Sequence, residues 1–303
     1  MTGIWIDTDF GFDDLWALLV LRHLQCDVAG VSLVAGNAPL PQVVANATAA
    51  KTAYGFEWPI WQGAGHPLVR SPETAERILG PTGMRSRGMH LPTSQSGVPP
   101  QGASVALQNW LTTDADTPRT ILALGPLTNI ALVLQKSPVV AHRISRIVWM
   151  GGSTGAGNHT PKAEFNAVAD AEALDCVITS DVPLDIVDLQ FCRGVTFNES
   201  DMPKTDQLTG DLLGGYLDIA LERGRPGMAI YDPLAALAVA APDTIAFSNC
   251  TASVSTENTD SYGATHIKTT DASNTRLAVK ANEDLAQLCL KALEKEVIHG
   301  HRH

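Results

Sequence analysis

Ile4-Trp5-Ile6-Asp7-Thr8-Asp9-Phe10-Gly11-Phe12-Asp13-Asp14 decides how the rest of the chain is read. An apolar run, Gly3–Ile6, precedes four aspartates within eight residues, and Leu15–Leu24 follows as a run with the character of a buried helix. The acids therefore sit where a strand ends and a helix begins. Carboxylates at that density repel one another, and a helix N-terminus offers only about half a positive charge. A divalent cation with oxygen ligands resolves the repulsion, whereas helix capping needs one aspartate, not four.

Working outward, short Val/Ile-rich runs alternate with helical patterns. Strands are expected at Gly3–Asp7, Val28–Ala35, Ile60–Gln62, Thr120–Leu124, Ile144–Met150 and Leu184–Val187. Helices are expected at Asp14–Leu24, Gln42–Tyr54, Ser104–Thr112, Thr128–Gln135 and Ala171–Thr179. Near-continuous apolar strands separated by single helices predict an α/β fold, an open and mostly parallel sheet with helices on both faces. A helical region from Asn198 to about Arg223 follows, then an apolar helix opened by Tyr231-Asp232-Pro233 and running to Ala241. A β-rich stretch (Ile245–Val254, His266–Thr269, Leu277–Lys280) and a helix over Asp284–Ile298 close the chain. No repeat or linker divides residues 1–303, so one domain is expected.

Ligands of such sheets sit beyond the C-terminal ends of the strands. Here the exits carry the aspartate cluster, Gly36-Asn37, Gly125–Asn129 and the polar segment Gly151–Asn166. The stretch Gly65–Gly102, rich in Gly, Pro and Ser, is a long loop of the kind that usually serves function.

The net charge of −11 speaks against nucleic-acid and anionic-membrane partners. Five scattered cysteines without a CxxC, no basic-then-apolar leader and no long apolar run point to a cytoplasmic protein. The terminal His299-Gly300-His301-Arg302-His303 reads as a frayed end.

An EF-hand is excluded because Phe12 stands where that loop needs glycine. Asp7 and Asp9 also match the strand-Asp-x-Asp opening of haloacid-dehalogenase-type phosphatases, but that family's later motifs are missing. The stretch Asp7–Asp14 instead closely resembles the Asp-x-Asp-Pro-Gly-x-Asp-Asp signature of the inosine-uridine nucleoside hydrolases. Gly36-Asn37, Leu124–Asn129, Trp149–Gly152, Asn158, Glu164-Phe165-Asn166 and Asp232–Ala235 match in type, order and approximate spacing, to about residue 240.

The resemblance implies a Rossmann-like fold and a calcium-dependent N-ribohydrolase, assembled as a homodimer or homotetramer. It implies Ca²⁺ held by Asp9, Asp14, Asp232 and the Thr128 carbonyl, hard oxygen donors of the type calcium prefers. Asp9 is then the general base toward a metal-bound water, and the acidic pocket stabilises the oxocarbenium-like ribosyl group. Ribose binding falls to Asp13, Asn37, Met150, Asn158, Glu164, Asn166 and Asp232. Asp7 and Asp188 are expected in structural roles, and Trp16 and Trp149 in the core.

Two departures stand out. Phe10 replaces the usual Pro, which removes a backbone restraint. Tyr231 stands where related enzymes carry His or Trp; its aromatic face and its poor acidity imply stacking on the base and a purine preference. His90 or Arg87 in the long loop, and Arg223 and Tyr216 nearer the base, are further candidates around the leaving group. An N-ribohydrolase for a modified riboside, or an idle nucleoside- or ribose-binding protein, is the alternative.

Overall fold

A computed structural model describes residues 3–93, 99–113 and 118–294. The first half runs β1 (Ile4–Thr8), α1 (Phe12–His23), β2 (Val28–Leu33), α2 (Leu40–Tyr54), β3 (Ile60–Gln62), α3 (Glu76–Leu79), α4 (Ala103–Thr112), β4 (Thr120–Ala123), α5 (Thr128–Lys136) and β5 (Arg146–Met150). Then come α6 (Phe165–Ala169), α7 (Ala171–Ile178), β6 (Leu184–Val187), α8 (Leu189–Arg193), β7 (Thr196–Phe197), α9 (Gln207–Leu221), β8 (Met228–Ala229) and α10 (Asp232–Ala240). β9 (Ile245–Val254), β10 (Thr265–Thr269), β11 (Thr275–Ala281) and α11 (Leu285–Lys291) end the described chain.

Among the described residues one sheet takes the order β10-β9-β11-β6-β5-β4-β1-β2-β3, and β7 pairs with β8 separately. From β11 to β3 every neighbour is parallel; β9 pairs antiparallel with both β11 and β10. The alternation of side chains along a strand assigns the two faces. Ile4 and Ile6 of β1, with Leu122, Val148 and Met150, belong to one core with α1, α2, α9 and α10. Trp5, with Ile121, Ala123, Ile147 and Trp149, belongs to the other with α4, α5 and α7. Helices thus cover both faces, and β1 is buried along its whole length.

The strand order reverses between β1 and β4, which opens a crevice outside their carboxyl ends. Asp9 and Gly125 flank it, and a Cβ on Gly125 would lie only 3.0 Å from Asp9 Cγ.

Three expectations shift. The helix expected from Asn198 begins at Gln207, capped by Asp206, whose carboxylate accepts from Thr209 N–H at 3.0 Å. Pro203 interrupts the interval, so Glu199–Asp201 forms only a 3₁₀ turn. The last helix ends at Lys291, not Ile298; residues 295–303, with the terminal histidines, lie outside the described residues. The described part of the long loop is docked rather than loose. Arg87 pairs with Glu199 and Asp218, Arg85 with Glu222, and Met89 N–H donates to Asp211 at 2.8 Å. Gly215 of α9 permits this approach, since a Cβ there would lie 2.5 Å from backbone atoms of Arg85 and Ser86.

Candidate active site

β1 delivers its acids in a fixed order. Asp7, wholly buried on the strand, accepts hydrogen bonds from Ser32 and, at 2.8 Å, from Asn129 Nδ2 of α5, while its Oδ2 has no partner. Burial pushes its carboxyl up to about 7. Beyond the strand, Phe10 adopts φ 42°, in the left-handed region that bulky residues rarely occupy. The turn is pinned rather than loosened: Phe10 N–H donates to Thr8 Oγ1 at 3.1 Å and its carbonyl accepts from Asn46 at 3.2 Å. A proline could neither adopt this φ nor donate that bond.

Asp9 follows, 1% exposed. Asn37 N–H donates to its Oδ2 at 2.7 Å, and Asn37 Nδ2 to its Oδ1 at 3.0 Å. The same amide reaches Asp14 Oδ2 at 3.1 Å, so Asn37 ties the two acids together. Asp14 also accepts from Gly11 N–H at 2.7 Å and from Thr8 Oγ1, at the N-terminus of α1. Asp13 accepts from the Tyr216 hydroxyl at 3.1 Å. Asp232, first residue of α10, completes the group: carboxylate oxygens of Asp13, Asp14 and Asp232 lie within 4.8 Å of one another. Asp9 stands beside this trio.

The electrostatics record the strain. Burial, and then the charge of Asp14, holds Asp9 well above the ordinary carboxylate range. Burial and Asp14 push Asp13 up to about 7. Asp14 is raised by burial, and Asp232 by burial and then by Asp13, Asp14 and Asp9. Buried carboxylates that raise one another are a set of hard oxygen donors short of positive charge, which a dication fits.

Beside these acids lies a cavity of ≈ 470 Å³. Asp9, Asp13, Asn37, Met150, Asn158, Glu164, Asn166, Tyr231 and Asp232 all line it. Asn166 Nδ2 donates to the Leu124 and Met150 carbonyls at 3.0 and 2.9 Å. Glu164 caps α6 and accepts from Gly152, Asn166 and Ala167 N–H groups at 2.9–3.1 Å; burial nevertheless pushes it up to about 7. Asn158 Oδ1 accepts from Phe165 N–H at 2.9 Å.

Thr128 is not brought to the cavity. It is the first residue of α5, where carbonyls turn inward to the helical ladder, and its hydroxyl donates to Asp170 at 2.7 Å. At that strand exit the residue lining the cavity is Leu124. Arg87 is held by acids, and His90 lines a separate groove beside α2. Tyr216 and Arg223 do line the cavity. Asp188 is structural, capping α8 and accepting from Thr154. Trp16 and Trp149 are buried in the core, as expected.

Sequence reasoning missed Glu73, Arg77, His159, Arg193 and Arg225, which also line the cavity. Only His159 carried a signal, its adjacency to Asn158. Tyr231 is mostly buried, and its phenol is pushed up to about 12, chiefly by burial. No described helix is long and apolar enough to cross a membrane.

The family model described as "inosine-uridine preferring nucleoside hydrolase" matches residues 4–287, further than the motifs alone reach. The chain is 32% identical over 271 residues to the non-specific ribonucleoside hydrolase RihC of Escherichia fergusonii, with 87% of each covered. It is 33% identical over 269 residues to the protein of that name in Escherichia coli K12, again with 87% of each covered. Two solved structures share the fold. A purine-preferring ribonucleoside hydrolase from Gardnerella vaginalis superposes with TM-score 0.85 at 22% identity, covering 96% of this chain and 99% of that one. An inosine-guanosine nucleoside hydrolase gives 0.82 at 23%, covering 96% and 97%. The acid-lined crevice and the match along almost the whole chain agree: the chain belongs to the inosine-uridine preferring nucleoside hydrolase family and is a ribonucleoside hydrolase.

Proposed function

We propose that this hydrolase works with calcium and with Asp9 as general base, and that it prefers purine nucleosides. The observation that carries the reading is Asp9 itself, buried, fixed by two donors from Asn37, and set beside the converging Asp13, Asp14 and Asp232. Asp9, Asp14 and Asp232 would hold the cation. Leu124, rather than Thr128, would supply the backbone oxygen, because its carbonyl meets the cavity-lining Asn166. Bound there, the cation offsets the clustered negative charge and favours ionisation of the attacking water.

The residues then divide the work. Asp9 takes a proton from the water as its oxygen bonds to the anomeric carbon and the bond to the base breaks. Asp13, Asn37 and Asp232 hold the 2′- and 3′-hydroxyls, and Asn158, Glu164 and Asn166 the 3′/5′ side. The carboxylates oppose the positive charge that develops on the ribosyl ring. Tyr231 lies against the base; with its phenol held near 12 it stacks rather than donating a proton.

The test is free ribose released from inosine, adenosine, guanosine, uridine and cytidine. Faster release from the purines is expected. Equal release from uridine would leave hydrolysis standing and remove the purine preference; the name of the RihC relatives sets that alternative. Binding of inosine without release of base from any nucleoside would overturn the catalytic assignment.

A further inference from the structure

The cavity is lined by buried acids, by the exposed Glu73 and by four arginines that reach solvent, Arg77, Arg193, Arg223 and Arg225. Elsewhere in this acidic chain most of the described arginines are engaged, among them Arg70 with Glu172, Arg85 with Glu222, Arg87 with Glu199 and Asp218, and Arg146 and Arg276 with Asp185. Arg193 gives two donors to the Ala156 and Gly157 carbonyls at 2.8 and 2.9 Å. Arg223 and Arg225, like Arg77, have no side-chain hydrogen bond or ion pair among the described residues. Beside a cavity in a chain of net charge −11, unpaired guanidinium groups call for an anion, and Arg223 and Arg225 stand together.

Their position says which one. They follow α9 on a tight turn in which Gly224 adopts φ 69°, and the chain then runs through Met228 to Tyr231. Tyr216, Ile219, Ala220, Met228 and Tyr231, from α9 and the segment after it, line the same cavity and give it aromatic and aliphatic surface suited to a flat base. The sugar hydroxyls belong with the carboxylates and amides instead. An arginine cannot act as an acid near neutrality, so its contribution to a departing base is charge, not a proton.

We infer that Arg223 and Arg225 are the leaving-group residues of this enzyme, pairing with the base as it departs as an anion. The inference rests on the hydrolytic reading of the site above. The C1′–N bond breaks with both electrons going to the base nitrogen. The water oxygen forms the new bond to C1′, and the water's proton passes to Asp9. The base leaves paired to guanidinium and takes a proton from solvent after release. Nucleosides of 6-oxopurines, whose anions spread charge over ring nitrogens and the exocyclic oxygen, are the substrate class this device favours.

The test compares the calcium-loaded wild type with an Arg223→Ala/Arg225→Ala variant on inosine and on 4-nitrophenyl riboside, whose leaving group is already a stable anion. Both arginines are exposed and unpaired, so circular dichroism and thermal unfolding should match the wild type. The expected result is a loss of about 10²-fold in kcat on inosine. The loss on the nitrophenyl riboside should be about threefold or less, and the Lys/Lys variant should recover part of the inosine rate. Equal losses on both substrates, or none on inosine, would overturn the assignment. Faster wild-type turnover of inosine 5′-monophosphate than of inosine, lost in the variant, would reassign the arginines to a phosphate and overturn it too. A wild type inert on both ribosides would instead sink the hydrolytic reading on which the inference rests.

Discussion

Replacing Gly36 with alanine tests the position of Asp9 without touching its chemistry. Gly36 lies against the acid: a Cβ there would overlap Asp9 Oδ2 and lie 2.8 Å from its Cγ and 2.9 Å from its Cβ. The methyl is added at the exit of a parallel sheet whose strands are pinned on both sides, so the carboxylate is the part that gives. Relieving the overlap moves the Asp9 oxygen by about 1 Å and loosens its bonds from Asn37 at 2.7 and 3.0 Å. A misplacement of that size costs about 10²-fold in kcat. Overpacking costs about 1–3 kcal/mol of stability, which for a protein of this length lowers Tm by about 2–5 °C. The assay is ribose release from inosine at saturating substrate, alongside a thermal melt. A variant that keeps its fold and turns over within threefold of the wild type would refute the claim that Asp9 must stay where Asn37 holds it.

Two further outcomes follow from the site. Without a cation, the folded state binds protons on Asp7, Asp13 and Glu164 up to about 7, whereas the unfolded chain releases them near 4. Because the native state binds more protons between those values, that stability is full below about pH 4 and is lost as the pH rises through 7. The metal-free protein should therefore melt lower at pH 8 than at pH 5, and calcium should raise Tm more at pH 8. A melting temperature that rises with pH in chelator would contradict the burial of these acids. At Tyr231, the phenylalanine variant keeps the ring and should hold kcat on inosine within about threefold, whereas alanine should lose far more on inosine than on 4-nitrophenyl riboside. A collapse on removal of the hydroxyl alone would make Tyr231 a proton donor.

Much of the architecture was legible because the parallel strands are buried on both faces and carry continuous Val/Ile/Leu runs. Ile60–Gln62 and Leu184–Val187 match β3 and β6 residue for residue. The exits were legible too, since Asp9, Asn37 and Met150 each follow or end such a run, Asn166 closes the polar segment after β5, and all meet at one cavity. Less legible was anything set by backbone direction. The segment Gly125–Asn129 spans a strand exit and a helix start, and spacing alone does not say that the Thr128 carbonyl turns into α5 while Leu124 faces the site. Nor does Phe10 announce its left-handed turn, which is fixed by Thr8 and by Asn46 from another helix. The arginines that line the cavity come from α3, α8 and the turn after α9, elements with no shared motif, and only the folded chain brings them together.

The most direct measurement is ribose release from inosine by metal-depleted protein as calcium is titrated back, for the wild type and Asp9→Asn, with calcium binding followed by calorimetry in the same samples. The wild type should be silent in chelator and recover on addition of calcium. Asp9→Asn should still bind the cation through Asp14 and Asp232 yet remain about 10²–10⁴-fold slower. Full turnover in chelator, or an Asp9→Asn variant as fast as the wild type, would contradict the account.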